Sequence, residues 1–347
     1  MAGGAEGVSR RGMADQLVAF PNSKRNSVVM RILLCCLLVA ACGGNPGPDN
    51  AAPVPSGPPG PPMRVFDRTL HALDVNGTRL AYRLSGDSGA TPVVLVHGTL
   101  EDLRSWSRQE NAFAQVYRVL VYSRRYHRPN PPVNDNQVYS PKLHSEDLAA
   151  LLLTLDIAPA HIVGSSYGAY VALQLARDHP QLVRSLVLAE PPIFSLLTSS
   201  ESGDSARRAF YTRTLDPARA AFARGDSVGG LRLFYDGEAG RRGAFDRLPG
   251  AARAELLAHT FEMRHEMLAE RAQYLPTIPC AELGRITTPV LLVRGERSSR
   301  TFQLITDELA RCLQNDTTVT IPGAGHPPNA GNPSYYNQVV ARFIMTH

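Results

Sequence analysis

Short, uniformly apolar runs recur along the chain at 93–96, 119–122, 161–163, 186–188 and 290–293, and most are separated by stretches whose apolar residues repeat every three or four positions. Such runs predict strands covered on both faces, and helices between them predict a parallel sheet rather than an antiparallel one with a wet side. The helical stretches are 143–155, 167–178, 301–312 and 334–344. Ahead of the first run, residues 69–75 and 78–84 flank Asn76-Gly77, a strong signal for a two-residue hairpin turn. One interval breaks the alternation. Residues 191–288 are rich in Ala, Arg and Leu and read as helical with no core strand, which predicts a helical cap inserted into the sheet's connections.

The first 63 residues pattern differently. Residues 28–42 place Arg31 before an apolar stretch that ends in small residues and Cys42, the layout of an export signal. The apolar part, 32–41, would make a helix about 15 Å long at ~1.5 Å per residue, short of the roughly 30 Å of a hydrocarbon core, so a permanent membrane span is not expected. Val39-Ala40-Ala41-Cys42-Gly43 resembles the lipobox of bacterial lipoproteins. That resemblance implies lipidation of Cys42, a membrane anchor and a place in the bacterial cell envelope; a generic signal peptide or a buried helix is the plainer alternative. Residues 1–29, polar and Gly-rich, are expected to lie upstream of a true start at Met30. From 43 to 62 there are eight prolines and five glycines. This composition cannot build a core and predicts a linker over 43–63 that extends up to ~60 Å at about 3.1 Å per residue. The folded domain is expected at 64–347.

With 44% hydrophobic and 19% charged residues, the chain can bury a substantial core. Its net charge of +5 shrinks to about +2 once the five basic and two acidic residues before Cys42 are set aside, too little to argue for nucleic acid. Cys35, Cys36 and Cys42 belong to the signal-like run, which leaves Cys280 and Cys312, without metal-ligand spacing. A disulfide between these two and a pair of buried thiols are both open readings. No cofactor or metal is implied.

The chemistry-bearing motif is His161-Ile162-Val163-Gly164-Ser165-Ser166-Tyr167-Gly168-Ala169, which sets Gly-x-Ser-x-Gly between an apolar strand and a helix. This is the context of a nucleophile elbow. Glycines two positions either side of Ser166 leave room for a sharp turn, and the following helix aims its first amides at developing negative charge. Ser165 lacks the symmetric spacing and is expected to pack. A second motif is Val94-Leu95-Val96-His97-Gly98-Thr99, and a third is the Gly-rich loop Ile321-Pro322-Gly323-Ala324-Gly325-His326 after a strand-like 317–321. With these the chain resembles the α/β-hydrolase superfamily over essentially all of 64–347. The resemblance implies Ser166 as nucleophile, His326 as base, and the backbone amides of Thr99 and Tyr167 as an oxyanion hole, with His97 structural. His259, His265 and His347 have no comparable setting.

The family usually places its acid three residues after a glycine at the end of the strand at 290–293, and here that slot is Ser298 in Gly295-Glu296-Arg297-Ser298. Serine cannot supply the charge that orients a catalytic histidine. Glu190, at the end of the preceding strand, is the replacement, since neighbouring parallel strands end on one side of the sheet. Glu296 as the acid, or a Ser–His dyad with Glu190 capping the turn before Pro191, are the competing readings.

Ser166 argues for acyl transfer through an acyl-serine, and against the relatives that carry an aspartate nucleophile. The expected activity is hydrolysis of a small-molecule carboxylic ester, thioester or lactone; carbon–carbon bond hydrolysis on the same residues, or a non-catalytic binding protein that keeps the fold, are the alternatives. Trp106 is a candidate wall of the acyl pocket, with packing the other reading. The arginines of Ser123-Arg124-Arg125-Tyr126-His127-Arg128 either favour an acidic substrate or form salt bridges, and cap arginines such as Arg207, Arg208, Arg213 and Arg219 read as solvated faces.

Overall fold

The computed structural model describes residues 66, 68–133, 135 and 137–347. The expectations for 1–63, lipidation of Cys42 included, fall outside the described residues. Among those residues no helix is long and apolar enough to cross a membrane.

The Asn76-Gly77 turn joins β1 (His71–Val75) to β2 (Thr78–Ser85) in an antiparallel hairpin, and both turn residues take the positive φ, 45° and 71°, that a mirror-image turn requires. Then follow β3 (Pro92–Val96), β4 (Arg118–Tyr122), β5 (Ala160–Ser165), β6 (Val183–Ala189), β7 (Val290–Gly295) and β8 (Asp316–Ile321). They form one eight-stranded sheet in the order β1-β2-β4-β3-β5-β6-β7-β8, parallel from β4 onward. Each expected apolar run lies inside one of these strands.

Both faces of the sheet are covered, which is why its strands read as continuous apolar runs rather than as alternation. On one face Val93, Leu95, Val119, Val121, Val163 and Leu291 pack with α1 (Ser107–Phe113) and the C-terminal helix. On the other, Val94, Val96, Leu120, Ile162, Leu186 and Leu292 pack with α2 (Pro141–Thr154) and α3 (Tyr167–Asp178). Trp106 is fully buried in the first cluster, beside α1, while the residues of 191–288 that enter the core belong to the second. Its place is therefore packing, and the geometry gives it no part in an acyl pocket beneath the cap.

Between β6 and β7 the described chain is helical, as the pattern predicts. Helix α4 (Glu201–Phe210) passes through a π-helical turn at Tyr211–Leu215 into α5 (Asp216–Ala223), followed by α6 (Ser227–Glu238), α7 (Gly250–Leu257), α8 (Thr260–Leu268) and two single turns, α9 (Arg271–Tyr274) and α10 (Cys280–Leu283). After β7 come α11 (Arg300–Cys312), α12 (Pro328–Gly331) and α13 (Pro333–Met345). The open question at Cys280 and Cys312 resolves as a disulfide, Cα atoms 5.0 Å apart, which ties α10 at the end of the cap segment to α11 against the sheet. It closes a loop of sequence separation 32, for which chain entropy gives a stabilisation of about 3–4 kcal/mol. Replacing both cysteines by serine is expected to lower the unfolding free energy by ~2–4 kcal/mol in a denaturant titration; an unchanged midpoint and slope would show that the bridge constrains nothing.

Candidate active site

Three strand ends and one loop converge at Ser166. Strand β5 stops at Ser165, α3 starts at Tyr167, and Ser166 between them has φ 51° and ψ −124°. A non-glycine residue there is strained by on the order of 1–3 kcal/mol, a cost the surrounding packing must meet. The flanking glycines are sterically required: a Cβ on Gly164 would sit 2.5 Å from the Ala169 Cα, and one on Gly168 would sit 2.2 Å from the Val96 carbonyl oxygen. Ser166 donates its amide to the Ala189 carbonyl at 2.8 Å. It stands at the N-cap of α3, yet its hydroxyl makes no capping bond. Instead, Ser166 Oγ lies 3.0 Å from His326 Nε2.

His326 sits on the loop after β8, its ring stacked on Phe302 with centroids 4.2 Å apart. Its Nδ1 donates to Glu190 Oε2 at 2.7 Å. Glu190 follows β6 directly and is wholly buried; its other oxygen accepts the Gly295 amide at 2.8 Å, so both carboxylate oxygens are satisfied. Ser166, His326 and Glu190 are thus brought into one chain of hydrogen bonds. Glu296, the competing acid, is not: its carboxylate accepts the Gly323 amide at 2.7 Å and steadies the loop that carries His326. Ser298 is buried near Gly295, its hydroxyl without a hydrogen-bond partner.

The Gly98 turn lies against Ser166, since a Cβ built on Gly98 would come within 3.0 Å of the Ser166 Cβ. Thr99 follows in that turn and donates its hydroxyl to Glu266 of α8 at 2.8 Å, while Tyr167 supplies the first amide of α3. Behind the turn, His97 Nε2 accepts the Arg124 amide at 2.9 Å and its Nδ1 donates to the Gly98 carbonyl. Burial, and then the Arg124 charge, push its pKa well below the ordinary histidine value, so it is a neutral strut. Arg124 spends its guanidinium on the carbonyls of His97 and Gly98 and on the Tyr139 hydroxyl. Arg125 is held by both oxygens of Asp147 and by Asp135. Of the two readings of these arginines, salt bridging and backbone bracing is the one the structure displays. Ser165 is buried with its hydroxyl on Asn329, in a packing role.

One residue at the site escapes the sequence motifs. Glu238, the last residue of α6, places its Oε2 3.0 Å from His326 Nε2. The signal is faint but physical: Leu231 and Phe234 are the buried stripe of α6, and Glu238 continues it one helical turn later. Burial alone would lower the His326 pKa, but the charge of Glu238 and the hydrogen bonds of Glu190 and Glu238 override it and raise it to about 10. The resting imidazole is therefore protonated at neutral pH, and it can accept a proton from Ser166 only after Glu238 withdraws or finds another partner.

A histidine with a raised pKa stabilises the fold fully below its ordinary value of 6.5 and loses that contribution as pH rises through about 10. Glu238→Gln is accordingly expected to drop the His326 pKa by about one unit or more and to lower stability at pH 7, while the loss of stability between pH 6.5 and 10 becomes shallower. Ring-proton NMR titration of His326 reads this directly; a value that stays near 10 would place the perturbing charge elsewhere.

Known proteins share sequence and fold with this chain. The chain is 34% identical over 129 residues to the uncharacterized hydrolase YraK of Bacillus subtilis, a match that spans 37% of this chain and 47% of that protein. It is 29% identical over 261 residues to the putative carbamate hydrolase RutD of Pseudomonas syringae, covering 74% of this chain and 95% of the relative. The enol-lactonase of Burkholderia xenovorans shares the fold, with a TM-score of 0.63 at 20% identity over 79% of this chain and 100% of that one. A family model for the alpha/beta hydrolases matches residues 93–340, and the chain belongs to the alpha/beta hydrolase family.

Proposed function

We propose that the protein is a serine hydrolase that cleaves a small-molecule carboxylic ester, thioester or lactone through an acyl-serine intermediate. The observation that carries the reading is the unbroken relay from Ser166 Oγ to His326 Nε2 and from His326 Nδ1 to the buried Glu190. Once Glu238 has left His326 and the ring has given up its Nε2 proton, Ser166 attacks the acyl carbon, His326 takes the serine proton, and Glu190 holds the ring and stabilises the imidazolium. The amides of Thr99 and Tyr167 receive the oxyanion, each worth roughly 3 kcal/mol of transition-state stabilisation. His326 then returns the proton to the leaving group and activates water for deacylation.

The relatives support acyl chemistry of this kind, since carbamate and lactone hydrolysis both pass through a tetrahedral carbon. A binding protein without activity would have no need to keep Ser166 in strained backbone and Glu190 without contact with water. The Cys280–Cys312 bridge fits an oxidising compartment. Together with the lipobox-like ending at Cys42 it supports an envelope location, the domain tethered to a membrane by its linker.

Glu190→Gln keeps the shape and removes the charge. On a short-chain aryl ester or an acyl lactone, kcat is expected to fall by on the order of 10³-fold or more with KM little changed. Turnover within a few fold of wild type would remove Glu190 as the acid and leave a Ser–His dyad.

A further inference from the structure

We propose that His127, His259 and Glu262 form a binding site for a divalent transition-metal ion of the zinc class, between the start of α8 and the loop after β4. The side chains come from two parts of the fold: His127 from the loop after β4, and His259 and Glu262, three residues apart, from the N-terminal end of α8. All three are buried, at 0%, 2% and 0% exposure, and their potential ligand atoms lie within 4.8 Å of one another. His259 Nδ1 is hydrogen-bonded to Glu262 Oε1, and His127 Nδ1 is 3.8 Å from the same oxygen and 2.8 Å from the Glu101 carbonyl, a contact that a bound ion would take over or share. Among the described residues Glu262 Oε2 has no hydrogen-bond partner. A buried carboxylate with one oxygen unsatisfied is costly unless a cation shares the space.

The neighbouring fixed charges do not answer that need. Arg124 is committed to two backbone carbonyls and Tyr139. Arg104 serves the outer side of His259, where it pairs with Asp102 and Glu255. That outer group, Asp102, Glu255 and His259 Nε2, already holds a guanidinium, which leaves the inner one as the place for an ion. Two imidazole nitrogens with a carboxylate oxygen are the donor set of zinc rather than of calcium or magnesium. The His127 ring is also supported as a ligating histidine commonly is, its Nε2 3.1 Å from the Tyr139 hydroxyl. Bound there, the ion pins the start of α8 to the loop after β4 that carries His127, whose Nδ1 lies 2.8 Å from the Glu101 carbonyl close to the Gly98 turn.

The test is zinc titration of the full chain after chelator treatment, by calorimetry and by thermal unfolding, for wild type, Glu262→Gln and His259→Ala. Cys35, Cys36 and Cys42 offer thiols elsewhere, so the reading is the difference between wild type and variants. The expected result is one equivalent fewer in each variant, with a zinc-dependent rise in melting temperature that only the wild type shows. Equal stoichiometry in all three, or no saturable binding to wild type, overturns the proposal. If His259→Ala does not fold by circular dichroism, Glu262→Gln, equal in size, decides alone. Cobalt(II) substitution in the wild type adds a spectroscopic reading: visible bands of four-coordinate nitrogen and oxygen ligation that vanish in Glu262→Gln support the site, and their persistence there refutes it.

Discussion

A single carboxylate without access to water organises the centre of this protein. Glu190 is buried completely, and its two oxygens have two different tasks: one takes the Gly295 amide at the end of β7, the other takes His326 Nδ1 from the loop after β8. An ionised group in that position is tolerable only while both partners are present. It therefore couples the ends of three neighbouring strands, and any movement of the His326 loop leaves a charge unpaired. The site is fixed by the cost of breaking it as much as by the strength of its bonds.

The elbow at Ser166 depends on the same arrangement. Its positive φ is paid for by close approaches that only glycine permits, at Gly164 against Ala169 and at Gly168 against the Val96 carbonyl. These contacts hold β5, α3 and β3 close together, and the Ser166 hydroxyl lies toward His326. The Gly98 turn closes against Ser166 from the other side, braced by the buried Arg124. Against this floor the cap sets two carboxylates: Glu238, which lies 3.0 Å from His326 Nε2 and raises its pKa, and Glu266 of α8, which accepts the Thr99 hydroxyl at 2.8 Å. A proton can pass from Ser166 to His326 only once Glu238 is displaced or neutralised.

Much of the floor was legible in the sequence. Burial on both faces makes core strands continuous in hydrophobicity, so β3, β4, β5, β6 and β7 announced themselves without alternation, and Asn76-Gly77 marked the hairpin because both turn residues need positive φ. Ser166, His326 and Glu190 could be placed because each follows a strand on the same side of a parallel sheet. The cap was legible only as helix. Its contacts are long-range, so Glu238 looked like one more polar residue at a helix end until α6 was laid over His326. Arg124 and Arg125 left two readings open for a related reason: their charge suits a substrate-facing loop as well as salt bridges, and the fold turns them inward against carbonyls, Tyr139 and Asp147. Trp106 was ambiguous in the same way, its bulk being equally suited to a pocket wall or to the sheet face where it packs.

The central claim is that Ser166 is an activated nucleophile, and intact-mass analysis after exposure to a fluorophosphonate tests it most directly. On this account the wild-type chain gains a single adduct, and Ser166→Ala gains none while it remains folded. A native wild-type chain that takes up no adduct, or an adduct that persists in Ser166→Ala, would contradict it.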